Sequence, residues 1–161
     1  MKYLLEITAN LTHIVEMTPE DGVDDPNMPY FFRLKCENCD IVSKEQCVYP
    51  SEVVYHKRKR VNHVIKCKGC KRVGTVKLVP GSESVFTAAA AAGGIYMPLM
   101  MFECEGLVPQ QYAFNGGWKL TTDTGEDIMV NLVNGYFAGS EDEYGDNQPV
   151  VANVRGRFTP Q

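Results

Sequence analysis

No stretch of this chain approaches the roughly 18 consecutive apolar residues that cross a membrane, and the opening MKYLLEITAN is apolar only briefly before Glu6 interrupts it. Neither export nor insertion is signalled, and no membrane association is expected. Long amphipathic helices are missing too, and no internal repeat is evident, so a helical or repeat architecture is not expected. Histidine is scarce. His13, His56 and His63 are the only three, and none forms a recognisable nucleophile motif beside a cysteine. His63 alternates with Val61 and Ile65, which reads as a strand histidine, packed or at the surface, rather than a ligand or base. Nor is there the alternating aromatic and basic motif of an RNA-binding sheet.

What the chain does have is two Cys-x-x-Cys pairs, Cys36 with Cys39 and Cys67 with Cys70, separated by 27 residues. Tetrahedral zinc takes four soft ligands, and each Cys-x-x-Cys turn presents two thiolates to one face. Asn38 and Gly69, just before the second cysteine of each pair, fit the tight backbone such a turn needs. A pair of disulfides is the bland competitor, and rubredoxin-like iron is the sharper one, because the same four sulfurs suit either metal. Four thiolates leave no open coordination position, so hydrolysis at the metal is not expected.

At 161 residues and 18.0 kDa, the chain suits a single zinc-binding β domain over residues 1–161. Hydrophobic residues at 44% and charged residues at 22% are ordinary for a globular protein, so a core is expected. Metal-type cysteine spacing without a signal peptide points to a reducing compartment, the cytosol with the nucleus as a second address. Cys47 and Cys104 are then expected as free buried thiols. The net charge of −4 conceals a division: residues 33–77 hold 12 Lys or Arg and 4 Asp or Glu, about +8, and the remainder is about −12. Lys35, Lys66, Lys68, Lys71 and Arg72 would offset the formal −2 of four thiolates around a divalent ion. Within this region Lys57, Arg58, Lys59 and Arg60 make a basic run near Tyr49 and Tyr55, a candidate nucleic-acid contact or simply an exposed hairpin.

Apolar alternation at Tyr3, Leu5, Ile7, Ala9 and Leu11 predicts a half-buried strand, and Thr18 to Pro29 reads as a loop feeding a strand over 30–35. The runs 61–67 and 73–79 predict a hairpin with the second cysteine pair at its tip; a looser strand is expected near Gln46 to Tyr55. Further strands are expected over 99–107, around Ile128 to Leu132 and from Pro149 to Phe158. The fold class is therefore all-β, an antiparallel β-sandwich or partly open barrel with two zinc-clamped hairpins. Five alanines, Ala88 to Ala92, are too few to hold a helix unaided, so a mobile connection is expected there. The acidic stretch from Gly139 to Gln148 reads as a loop.

With LKCENCD at 34–40, IKCKGC at 65–70, FECEGLVP at 102–109 and a weaker DEY-to-PVV stretch at 142–151, the chain resembles the eukaryotic CXXC-motif-containing zinc-binding proteins along nearly its full length. The resemblance implies one zinc ion, held by Cys36, Cys39, Cys67 and Cys70 in a β-rich domain, and no established enzymatic activity. The family tends to carry a basic residue and a Glu where this chain has Glu105 and Val108, and a more polar segment where it has the alanine run.

An enzyme would need another nucleophile. Cys104 lies between Glu103 and Glu105, whose charges raise a thiol pKa, and Cys47 lies near Lys44 without a histidine beside it. The reading is non-enzymatic: a zinc protein acting through binding surfaces on an unidentified protein partner. The alternatives are a nucleic-acid-binding zinc-ribbon-like module using residues 56–60, and a thiol or metal-transfer protein.

Overall fold

Alternating apolar side chains make the first strand and frame the rest. In the computed structural model, which describes every residue except Asp24, β1 (Lys2–Thr12) buries Tyr3, Leu5 and Ile7 on one face. The alternation then slips. Thr8 and Ala9 are both buried, because pairing with the last strand shifts register between Thr8 and Asn10. The Thr8 hydroxyl donates to the Ile95 carbonyl at 3.1 Å, and Leu11 is left only half-buried.

In chain order there follow β2 (Ile14–Pro19), β3 (Tyr30–Cys36), β4 (Gln46–Val48), β5 (Val54–His56), β6 (Lys59–Val61), β7 (His63–Lys66), β8 (Val73–Val79) and β9 (Phe86–Thr87). The helix α1 (Ala88–Ala92) precedes β10 (Met97–Glu105), β11 (Leu107–Ala113), β12 (Gly117–Thr122), β13 (Asp127–Asn131), β14 (Phe137–Ala138), the short helix α2 (Glu141–Tyr144) and β15 (Val150–Pro160). The described residues form a six-stranded sheet in the order β14-β15-β1-β10-β8-β7 and a four-stranded sheet in the order β13-β12-β2-β9. A three-stranded sheet, β11-β3-β4, and the β5-β6 hairpin complete them. The architecture is all-β and antiparallel, with a half-barrel, so the partly open barrel is the form adopted.

Edge-to-face aromatics join the sheets. The Phe102 ring of β10 lies 5.0 Å from Phe32 of β3 and 5.0 Å from Phe158 of β15, which ties the three-stranded sheet to the six-stranded one. Trp118 and Leu120 of β12 are fully buried in the same continuous core. Among the described residues no helix is long and apolar enough to cross a membrane.

Three expectations change. Ala88–Ala92 is a helical turn rather than a mobile connection: the Thr87 hydroxyl accepts from the Ala90 N–H at 3.2 Å, and Ala90 is buried in the core against which the turn packs. The acidic stretch contains the one-turn helix α2, capped by Ser140. The looser strand at 46–55 divides into β4 and β5, which belong to different sheets.

Candidate metal centre

Each cysteine pair sits in the same turn. Cys36 ends β3; its N–H donates to the Ile41 carbonyl at 2.9 Å, and the Asp40 N–H donates back to the Cys36 carbonyl at 3.0 Å. Cys67 repeats this with Arg72 at 2.8 Å and Lys71 at 3.0 Å. The left-handed residue falls just after the second cysteine, at Asp40 (φ 64°) and Lys71 (φ 67°), not at Asn38 or Gly69. Gly69 has a different use: a Cβ there would run into the Ile41 side chain of the opposite turn. Asn38 hydrogen-bonds across to Cys70 and favours its thiolate.

The turns bring four sulfurs together. Cys36 Sγ lies 3.6 Å from Cys70 Sγ and Cys39 Sγ lies 3.4 Å from Cys67 Sγ, and all four lie within 4.8 Å of one another. Metal–sulfur bonds of about 2.3 Å place tetrahedral thiolates roughly 3.8 Å apart, so the cluster has the dimensions of a four-sulfur metal site. Disulfide sulfurs lie about 2.0 Å apart, and all six cysteines here are free. Among the described residues the four form the one group of this kind.

Their protons are shared unequally. The Arg72 backbone N–H and the Asn38 side chain bring Cys70 down to about 6. Cys67 is held low by the Cys70 N–H, by Cys39 and by the Gly69 N–H. Cys39 has the Ile41 N–H favouring its thiolate, yet the adjacent Cys67 sulfur, desolvation and the sulfurs of Cys36 and Cys70 push it up to about 11. Four sulfurs this close cannot all ionise unaided, and a bound cation is what allows it. The donor set therefore fits a soft or borderline divalent metal.

A corner in the chain makes the turns meet. Glu105, at the end of β10, pairs with Thr75 of β8, and Leu107, at the start of β11, pairs with Cys36 of β3. Gly106 between them adopts φ +75°, and its carbonyl accepts from the Glu37 N–H at 3.1 Å. The strand that carries one cysteine turn and the strand that carries the other are thus hydrogen-bonded to consecutive parts of one segment. Gly106 and Leu107, with Gly74 packed against Leu107, are the positioning residues that spacing of cysteines does not disclose; the FECEGLVP stretch is the signal that marks Gly106 and Leu107.

The remaining candidates lie elsewhere. Cys104 is 1% exposed, and burial pushes its thiol up to about 12, with Glu37 and Glu103 adding to the rise against the N-terminal ammonium. Cys47 is half-buried and raised, first by burial. His63 is lowered by burial, with its Nε2 3.0 Å from Gln46 Oε1, and His13 pairs with Asp123 at 2.8 Å. Lys57 and Arg58 form the tip of the β5-β6 hairpin with φ 49° and 66°. Lys59 is engaged by Glu105 at 2.8 Å, and Tyr55, 73% exposed, stands opposite Arg60.

Comparison with known proteins follows the same lines. A UPF0587 protein of Nematostella vectensis is 29% identical over 158 residues, covering 96% of this chain and 95% of that protein. A UPF0587 protein of Drosophila melanogaster is 28% identical over 122 residues, covering 73% and 71%. In fold, the chain is similar to the crystal structure of C1orf123 (TM-score 0.84, 21% identity, 100% of each chain) and to a hypothetical protein from Plasmodium falciparum (TM-score 0.78, 13% identity, 99% of each). Over residues 4–158 the sequence matches the family described as CXXC motif containing zinc binding protein, eukaryotic. With the paired cysteine turns, the four-sulfur cluster and the full-length match together, the chain belongs to that family of eukaryotic zinc-binding proteins.

Proposed function

We propose that Cys36, Cys39, Cys67 and Cys70 hold one zinc ion as a structural site, and that the protein acts without catalysis, as an interaction or adaptor protein in a reducing compartment such as the cytosol. The observation that carries this reading is the four-sulfur cluster built by two turns of matching hydrogen bonds. Four thiolates fill a tetrahedral shell, so a bound ion supplies charge and a cross-link rather than a site for activating water. The thiols outside the cluster support a non-catalytic role. Burial keeps Cys104 protonated at neutral pH, and no histidine is hydrogen-bonded to Cys104 or Cys47 among the described residues.

Structural zinc contributes on the order of 10 kcal/mol in small metal-dependent domains, comparable with the roughly 5–15 kcal/mol that stabilises an ordinary fold. The test is metal quantification on untagged protein purified without added metal, followed by circular dichroism during chelation. One zinc per chain is expected, with loss of the native spectrum on complete removal and the same loss in Cys67→Ser. Iron at the same stoichiometry would move the site to electron transfer. A native spectrum kept after complete removal would overturn the structural role in favour of metal transfer.

A second reading, nucleic-acid contact through the β5-β6 hairpin, is favoured by the two cations at its tip and the exposed Tyr55. Salt-dependent binding that disappears when Lys57 to Arg60 are neutralised would support it, and binding unaffected by that change would exclude this patch.

A further inference from the structure

Beside the cysteine cluster the fold leaves a groove of about 250 Å³ between two sheet edges. One wall is β7, an edge strand of the six-stranded sheet, paired among the described residues only with β8. The other is the segment from Ile41 to Gln46, where pairing with β3 becomes irregular: the Cys36 N–H bond to the Ile41 carbonyl, a Lys35–Val42 bridge and the contacts of Ser43 with Leu34 precede β4. The Gln46–His63 hydrogen bond joins the walls at one end, and Cys36 and Cys67 stand at the other. Leu34, Ile65 and Leu107 make the floor, with Ile41 and Val42 beside them, 46% and 41% exposed.

Apart from the cysteine sulfurs at one end, the charged side chains lining this apolar slot are of one sign. Lys44, Lys66 and Lys68 line it, no Asp or Glu does, and none of the three lysines is ion-paired among the described residues. An edge strand also turns the N–H and C=O of alternate residues away from its neighbour, ready to pair with an added strand.

We propose that the groove takes an extended acidic peptide segment of a partner protein. Its backbone runs along the free edge of β7, an aliphatic side chain fills the slot over Leu34 and Leu107, and carboxylates meet Lys44, Lys66 and Lys68. This deepens the interaction role proposed above and rests on it. Charge complementarity selects an anionic occupant. The lining then selects peptide over nucleic acid, since no aromatic ring is present for a base to stack on and a phosphate backbone would leave the aliphatic floor wet. A second copy of this chain is a poorer occupant, because its acidic run at 141–144 is wound into α2 rather than extended.

The probe is a fluorescein-labelled nine-residue peptide alternating Asp or Glu with Leu or Val, titrated with the metal-loaded full chain and followed by anisotropy. An oligothymidine of equal length serves for comparison. Saturable peptide binding is expected, weakened roughly tenfold or more by Lys44→Glu and by Val42→Asp, and unchanged by Lys77→Glu, which lies in the same basic region outside the groove. Absence of saturable binding, or equal weakening by Lys77→Glu, would overturn the proposal. Oligothymidine binding that is sensitive to Lys44→Glu while the peptide fails would give the groove to nucleic acid. Self-association sensitive to Lys44→Glu, again without peptide binding, would give it to a second copy. Metal content and circular dichroism are read on every sample first. A folded, zinc-loaded chain that ignores the peptide defeats this inference alone, whereas a folded, metal-free chain defeats the structural zinc reading by itself.

Discussion

Two glycines near the cysteine cluster lack a side chain for different reasons. At Gly74 a Cβ would lie 2.8 Å from the Glu105 backbone carbonyl oxygen and against Leu107, neither of which can retreat without opening the corner. Gly74→Ala is expected to cost about 1–3 kcal/mol by urea denaturation of the metal-loaded protein. At Gly69 the obstruction is the end of the half-exposed Ile41 side chain, which can rotate, so Gly69→Ala should cost less than about 1 kcal/mol. Lys71 is the converse case, an ordinary side chain in left-handed backbone. Lys71→Gly should stabilise the loaded protein by about 0.5–1 kcal/mol in the same measurement, and a loss would show that its charge beside the sulfurs outweighs the strain. The cysteines themselves were legible from spacing alone. The left-handed position was not, because the preference for glycine or asparagine pointed to Asn38 and Gly69 rather than to the residue that closes the turn.

Short elements depend on contacts that periodicity does not report. The helix α1 has a cap and a buried face, and Thr87→Ala should lower thermal stability by about 1 kcal/mol, with a conservative Thr87→Ser restoring most of it. Neither the cap nor the burial of Ala90 can be recognised in a run of identical alanines. The β5-β6 hairpin was legible as an exposed basic turn at 57–60, but its strand bounds were not, for a related reason: the strands have three residues each, and Lys57-Arg58 occupies a turn usually filled by Asn-Gly. β1 and β15 were visible as strands, but the bulge near Thr8 and Asn153 was not. Asn153 takes φ 55° there, and the inward face of β15 changes from Val151 to Val154 and Phe158.

Across the whole molecule, buried ionisable groups set the response to alkali. Burial raises Cys104 to about 12, so the folded state favours its neutral form more than the unfolded chain does. The stability this gives is fully present below the unfolded thiol pKa of about 8.5 and is lost as pH rises toward the folded value. Tyr112, buried beside Tyr30, is raised in the same sense. Urea midpoints should therefore fall between about pH 9 and 12. Cys104→Ala should make that fall shallower while lowering stability at neutral pH, and an unchanged slope would remove Cys104 as a contributor. The charge division has a spatial outcome as well: the basic region carries the cysteine turns, the lysines of the groove and the hairpin, all on the part of the chain from β3 to β8.

By itself, the sequence determined the all-β class and the identity of the four clustered thiols, because side-chain alternation and Cys-x-x-Cys spacing are local properties that survive without knowledge of any partner strand. Only the tertiary structure decided how the two turns meet. That meeting requires β10 to pass through Gly106 into β11, so that β8 and β3 hang on one continuous segment. The groove between β7 and the Ile41–Gln46 segment is non-local in the same way. It exists because two sheet edges approach without pairing, and which edges remain unpaired is settled by strand order.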